Sequence, residues 1–293
     1  MLKKHFSFLE QYFVSVATAA IILTSLGITA RPAKSAALAL SDDNSIAAFD
    51  PSFSDISSNN GILFWTVDNV NHLFQNSFWY RVGTEGRENS ISTLNLINLE
   101  QTADNQISVG YAGNGFEIAL DYTLDGGAEG SGKSNLLENI TLQNTQNSDS
   151  NPLDFHFFNY TDFDLTENGM QDTITIDSGK VTVSDNITLA KEVVSPVSNS
   201  YQVSPIFNVL NSLGDNEPSI LTNFPGPLTG DTAYAFGWDL TLAPGKSFSI
   251  TNNKSITPVA PTPVPEADTT LGLLGFSSLM LLWRLRPTQV IAE

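Results

Sequence analysis

Cysteine is absent from all 293 residues. That excludes disulfides, thiolate metal centres and lipid attachment through a cysteine, so stability has to come from a buried core. Basic residues are scarce: 13 Lys and Arg stand against 31 Asp and Glu, and between Leu40 and Ala260 the ratio is 7 to 27. A field of that sign repels nucleic acid and anionic lipid and favours cations or basic partners, so nucleic-acid binding is excluded. Of three histidines, only His72 and His156 lie away from the N-terminus. A zinc site would need both, with carboxylates brought in by the fold. Helical periodicity of any length is missing as well.

What is present begins with two apolar ends. Lys3 and Lys4 precede an apolar stretch from Tyr12 to Ala30, and Arg31 and Pro32 end it before the small-residue run SAALA. This is the layout of a secretory signal peptide over residues 1–39, with cleavage expected after Ala37 or Ala39. Signal peptidase and a Sec-type export machinery are the partners it implies. At the other end, TPVAPTPVPEA carries proline every two or three residues and is expected to be an extended spacer over 257–268. The apolar run from Leu271 to Trp283 would make a helix of about 20 Å, against a hydrocarbon core of about 30 Å. Thr269 and Thr270 extend it, and Arg284 and Arg286 can reach the headgroups, giving a transmembrane helix with a basic stop over 269–286. Charge asymmetry then places the tail, 287–293, in the cytoplasm.

The stretch VPEADTTLGLLGFSSLMLLWRLR resembles the PEP-CTERM sorting signal of exported bacterial proteins, in the form common in cyanobacteria. Val264, Pro265 and Glu266 match its motif, and Ala267 stands where the second proline is found. The resemblance covers about the last thirty residues. It implies an exosortase-like processing enzyme as partner, a membrane anchor before processing, and a final place at the cell surface or in the extracellular matrix.

The body, 40–256, reads as all-β: an antiparallel sandwich, jelly-roll-like or larger. Leu40 to Asn60 looks like a loose polar lead-in. Phe116, Ile118, Leu120 and Tyr122 share one face of a strand whose other face is polar. Leu153 to Tyr160 is apolar on both faces and belongs centrally. Tyr234, Phe236, Trp238, Leu240 and Leu242 form the most regular stripe. Ala243-Pro244-Gly245-Lys246 fits a type II turn, so a closing hairpin with Phe248 and Ile250 is expected. Val194 to Asp231 reads as a long insertion with one helical turn near Phe207 to Leu213.

One motif would mislead a pattern search. Gly127 to Ser134 (GAEGSGKS) fits the phosphate-loop pattern, with Gly132, Lys133 and Ser134 at the positions that would meet phosphate and magnesium. That chemistry requires a buried parallel strand before the loop and a helix after it. The residues that follow, NLLENITLQN, alternate like a strand, so Gly127–Ser134 reads as a Gly-rich hairpin loop. His156 is expected as a hydrogen-bonded core imidazole. Asp162 with Asp164, or Asp121 with Asp125, could pair as acid and base in a glycosidase. In so acidic a chain, spacing selects neither pair. Calcium is physically reasonable in such loops but no calcium-loop repeat occurs, so no cofactor is expected. Trp65, Trp79, Tyr80 and Trp238 could stack on sugar rings if exposed, although a two-sheet core has more use for them.

The function expected from these features is that of an exported, surface- or matrix-associated, non-catalytic β-sandwich protein, with extracellular polysaccharide as the candidate ligand. The alternative is a secreted carbohydrate-active enzyme on the same fold.

Overall fold

The structure, a computed structural model, describes residues 37–51, 61–165 and 172–260. Side chains that alternate between apolar and polar at a period of two can bury one face only as strands. In chain order the strands are β1 (Leu38–Asp42), β2 (Ser45–Asp50), β3 (Gly61–Val67), β4 (Val70–Asn71), β5 (Leu73–Val82), β6 (Asn89–Ser90), β7 (Asn95–Ala103), β8 (Gln106–Ala112) and β9 (Phe116–Gly126). There follow β10 (Ser134–Asn144), β11 (Leu153–Phe163), β12 (Thr173–Asp177), β13 (Lys180–Ser184), β14 (Thr188–Ser195), β15 (Ser200–Pro205), β16 (Leu228–Thr229), β17 (Thr232–Leu242) and β18 (Ser247–Pro258). A single α-helix among the described residues, α1 (Ile206–Gly214), lies between β15 and β16.

The strands form two nine-stranded sheets. The first runs β1-β2-β3-β5-β11-β17-β15, with β4 on β3 and β6 on β5; the second runs β16-β12-β13-β14-β18-β10-β9-β8-β7. Their inner faces share one core, built from Trp65, Phe155, Phe157 and Trp238 on the first sheet and Ile118, Leu120 and Ile140 on the second. Rings meet across the gap. Phe49 of β2 lies 5.0 Å from Tyr122 of β9, and Phe116 of β9 meets Phe155 of β11 edge-on at 5.1 Å. Burying one side chain of this size contributes roughly 1.5–3 kcal/mol. The expected all-β sandwich is therefore observed, as a large sandwich with eighteen strands among the described residues.

Several local expectations give way. The stretch from Leu40, expected as a loose lead-in, opens with the β1–β2 hairpin, and Leu40, Ala47 and Phe49 enter the core. A few apolar side chains of the right parity suffice when a finished sheet offers an edge. Val194 to Asp231 is no mere insertion, because β15 pairs with β17 and the helical turn is a nine-residue helix packed on the sheet. The type II turn has the expected shape: Gly245 sits at φ +70°, and the Lys246 N–H donates to the Ala243 carbonyl at 3.0 Å. It does not close a hairpin. β17 pairs with β11 and β15 in one sheet while β18 pairs with β10 and β14 in the other, so the turn carries the chain between layers.

The ends of the body also differ slightly from the reading. β1 already includes Leu38 and Ala39, and β18 continues to Pro258, two residues into the expected spacer. The signal helix, the sorting motif Val264, Pro265 and Glu266, the segment 269–286 with Arg284 and Arg286, and the tail lie outside the described residues. Among the described residues no helix is long and apolar enough to cross a membrane.

Candidate active site

β11 positions most of the chemistry. Its inner face carries Phe155, Phe157, Asn159, Thr161 and Phe163; its outer face carries Asp154, His156, Phe158, Tyr160 and Asp162. Across the outer face His156 lies opposite Arg81 and Asp239, Phe158 opposite Trp79 and Gly237, and Asp162 opposite Gln75. Helix α1 covers the middle of this stripe. Val209 and Leu213 are buried with Trp79, Phe158, Tyr160 and Ala235. Ionisable groups are left at either end.

At one end His156 is held by carboxylates. Its Nδ1 lies 2.5 Å from Asp239 Oδ1 and its Nε2 3.5 Å from Asp154 Oδ2. Asp239's side chain is 59% exposed, so this imidazole sits at the rim and not in the core where it was expected. Beside it Arg81 Nε donates to Glu88 at 3.0 Å, and Glu88 accepts from both the backbone and the hydroxyl of Ser219. That buried pair ties the segment after α1 to the sheet, and its acceptors are already occupied.

At the other end four aspartates act on one another through their charges, and no cation among the described residues acts on them. Asp162 is only 3% exposed, and burial, followed by the charges of Asp231, Asp164 and Asp172, pushes its carboxyl well above the usual range. Burial first, then Asp172 and Asp231, lifts Asp164 to about 6. Asp172 is also lifted to about 6, mainly by burial, although its Oδ2 accepts from the Leu165 N–H at 3.0 Å. Asp231 is raised by burial as well and stands nearest to solvent. Asp162 Oδ2, Asp164 Oδ1 and Asp172 Oδ1 lack hydrogen-bond partners among the described residues. His72 adjoins through its backbone, which accepts from the Asp164 N–H at 3.0 Å. Burial lowers its ring's pKa, so it is neutral at pH 7.

Such a cluster sets a carboxyl that burial holds toward its protonated form beside carboxyls that ionise near pH 6. A proton can be given and taken within one site. Among the described residues no group of three or more His, Asp or Glu has the arrangement of a metal centre.

Of the two suggested carboxylate pairs, Asp162 and Asp164 are thus brought together with Asp172 and Asp231. Asp121 and Asp125 lie on the outer face of β9, both exposed. Asp172 and Asp231 were invisible in the sequence, since no spacing links positions so far apart. Trp65, Trp79 and Trp238 are buried and Tyr80 half-buried, so none is a stacking platform. Trp65 Nε1 donates to Ser134 Oγ at 3.2 Å, and Trp238 Nε1 to the Pro196 carbonyl.

Gly127 to Ser134 joins antiparallel β9 to β10. Its amides hold a carboxylate of the same chain: Gly130 and Gly132 donate to Asp68 at 2.6 and 2.7 Å, and these bonds lower Asp68's pKa. Gly127 N–H lies 2.9 Å from Asn44 Oδ1, and Lys133 is exposed. No helix follows the loop.

No protein-family model matches the chain, and no curated protein matches it in sequence. Solved structures match its fold. A bacterial glucoamylase, crystallised with acarbose, superposes with a TM-score of 0.54 at 10% identity over 87% of this chain, which spans only 38% of that enzyme. A presumed aldose 1-epimerase of Escherichia coli K12 gives 0.52 at 10% identity, over 76% of this chain and 99% of its own. At such identity the likeness is one of fold. It nevertheless corrects the expectation of a non-catalytic protein: these two matching chains are a glucoamylase and a presumed aldose 1-epimerase, the second matched along nearly its whole length.

Proposed function

We propose that the protein is a carbohydrate-active enzyme whose proton-transfer groups are the aspartates at the end of β11. The observation that carries this reading is a set of carboxyls in which Asp162 is buried and Asp162, Asp164 and Asp172 each keep one oxygen without a hydrogen-bond partner among the described residues, and burial with their mutual repulsion pushes each above the usual carboxylate range. Asp162 is suited to act as the acid toward a sugar oxygen, and Asp164, the more accessible of the two, as the base. The acidic field favours a neutral saccharide over an anionic one. The fold shared with a glucoamylase and an aldose epimerase supports a sugar as substrate.

The reaction expected is therefore proton transfer at an anomeric centre, either cleavage of a glycosidic bond or ring opening of an aldose. Purified protein offered a panel of polysaccharides and free aldoses should turn over at least one. Asp164→Asn should lower that rate by about 10²–10⁴. Full activity of both the Asp162→Asn and Asp164→Asn proteins would remove the cluster from the mechanism. The export reading stands beside this proposal: a signal peptide, a PEP-CTERM-like tail handled by an exosortase-like enzyme, and a destination at the cell surface or matrix. Fractionating cells that carry an epitope-tagged chain tests it, and a strictly cytoplasmic protein would end it.

A further inference from the structure

Between the sheets, on the other side of β11, lies a second set of polar side chains that the proposed reaction does not use. Lys254 of β18 and Glu192 of β14 are directly opposite each other on the inner face of the second sheet, and both are fully buried. Glu138 of β10 is buried on the same face. Asn159 and Asn76 project inward from the first sheet and are 0% exposed. Enclosing a lysine and two glutamates in an aromatic core carries a large desolvation cost, and a structural salt bridge seldom recovers it.

The hydrogen bonds are arranged for chemistry. Asn159 Nδ2 donates to Glu192 Oε1 at 2.7 Å, and the other oxygen of that carboxylate lies 3.8 Å from Lys254 Nζ. One carboxylate therefore stands between an amine and an amide that come from opposite sheets. The amide's Oδ1 accepts from Asn76 Nδ2 at 2.7 Å, a donor placed where an oxyanion would develop. Lys254 Nζ is held by Glu138 Oε2 at 2.5 Å, and the Tyr234 hydroxyl donates to Glu192. No cysteine exists to cross-link the sheets in any other way.

We propose that Lys254 and Asn159 become joined by an intramolecular isopeptide bond, with Glu192 as the proton-transfer group. Glu192 takes a proton from the Lys254 ammonium, and the free amine attacks Asn159 Cγ. The charge on Oδ1 is met by Asn76 as the new C–N bond forms. A proton passes from the attacking nitrogen to Nδ2, the C–Nδ2 bond breaks, and ammonia leaves with the proton first taken by Glu192, as ammonium. No oxidant, cofactor or second substrate is consumed.

The experiment is a tryptic peptide map of the purified full-length chain by mass spectrometry. The bond predicts that Ser134–Lys180, which contains Asn159, is joined to a peptide beginning at Ser247 and uncut after Lys254. The joined species should weigh about 17 Da less than its two parts, the mass of one ammonia. Glu192→Gln should release the two as separate peptides. Complete recovery of free Ser247–Lys254 from the unmodified protein would overturn the proposal, whatever the variant does. A loss of ammonia confined to a single peptide holding Asn252 and Lys254 would overturn it too, because Asn252 also touches Glu138, at 2.8 Å.

Discussion

One strand separates two buried acidic places that differ in how their charge is met. On the inner side of β11, Glu138 and Glu192 are surrounded by partners: Lys254, Asn252, Asn159 and Tyr234 all touch one carboxylate or the other. On the outer side the charges that act on Asp162, Asp164 and Asp172 are all negative, coming from within the group and from Asp231 and Asp185. Burial raises Glu138 to about 7, yet Lys254 and Asn252 pull against that rise, whereas Asp162 has only Tyr160 to oppose it. Donors around a buried carboxylate oppose the upward shift that burial imposes, and carboxyls without them keep that shift, which is what the proposed proton transfer requires. Burial alone does not distinguish the two, but the inventory of donors does.

The comparison breaks most visibly in catalysis. Asp162→Asn should cut turnover of whatever sugar is found by about 10²–10⁴. It should leave the melting temperature unchanged or higher, because an amide has no charge to bury where a carboxyl resists ionising. Activity and thermal melting of the same preparation check both halves. On the inner side the sign reverses. Lys254→Met removes both the amine that balances two buried carboxylates and the cross-link proposed for it, and should destabilise by at least roughly 3–5 kcal/mol, read by chemical denaturation.

A titration sharpens the contrast. Folding raises Asp164 and Asp172 from 3.8 to about 6 and Glu138 from 4.5 to about 7, so between those limits the folded state binds more protons than the unfolded chain. Stability from these groups is present below pH 4 and is lost as pH rises through 6 for the aspartates and 7 for Glu138. Melting curves between pH 5 and 8 should fall with rising pH, by roughly 2–4 °C for each kcal/mol lost. In Asp164→Asn the part of that fall near pH 6 should shrink while the part near 7 remains. The smallest effect belongs to a position remote from both clusters. Gly245→Ala places a side chain at φ +70° and should cost about 1 kcal/mol, with activity unchanged.

Much of this arrangement could be seen in advance where the pattern was local. Phe116 to Tyr122 and Tyr234 to Trp238 alternate cleanly, and each places its large side chains inward. Asp162 and Asp164 could be paired because two residues along a strand is one face. Pairing across sheets was not legible: Pro244-Gly245 announced a turn but not that its strands would leave for different layers. The inner network did leave a trace. Glu138 falls between Leu136 and Ile140 at the buried parity of β10, Lys254 precedes Ile256 at that of β18, and Glu192 lies between Ala190 and Val194 in β14. A charge at an apolar parity position is the signal that reading for hydrophobic stripes passes over.

The amino-acid order alone determined that this chain would be built from strands, would carry a strongly acidic surface and would lack any disulfide. Those properties follow from side-chain period, charge count and composition, none of which depends on what touches what. Only the folded sandwich decided which acids meet. Asp172 and Asp231 join Asp162, and Glu192 comes between Lys254 and Asn159, because strands distant in the chain become neighbours through backbone pairing and sheet packing. Those contacts are blind to the chemistry of the side chains they bring together.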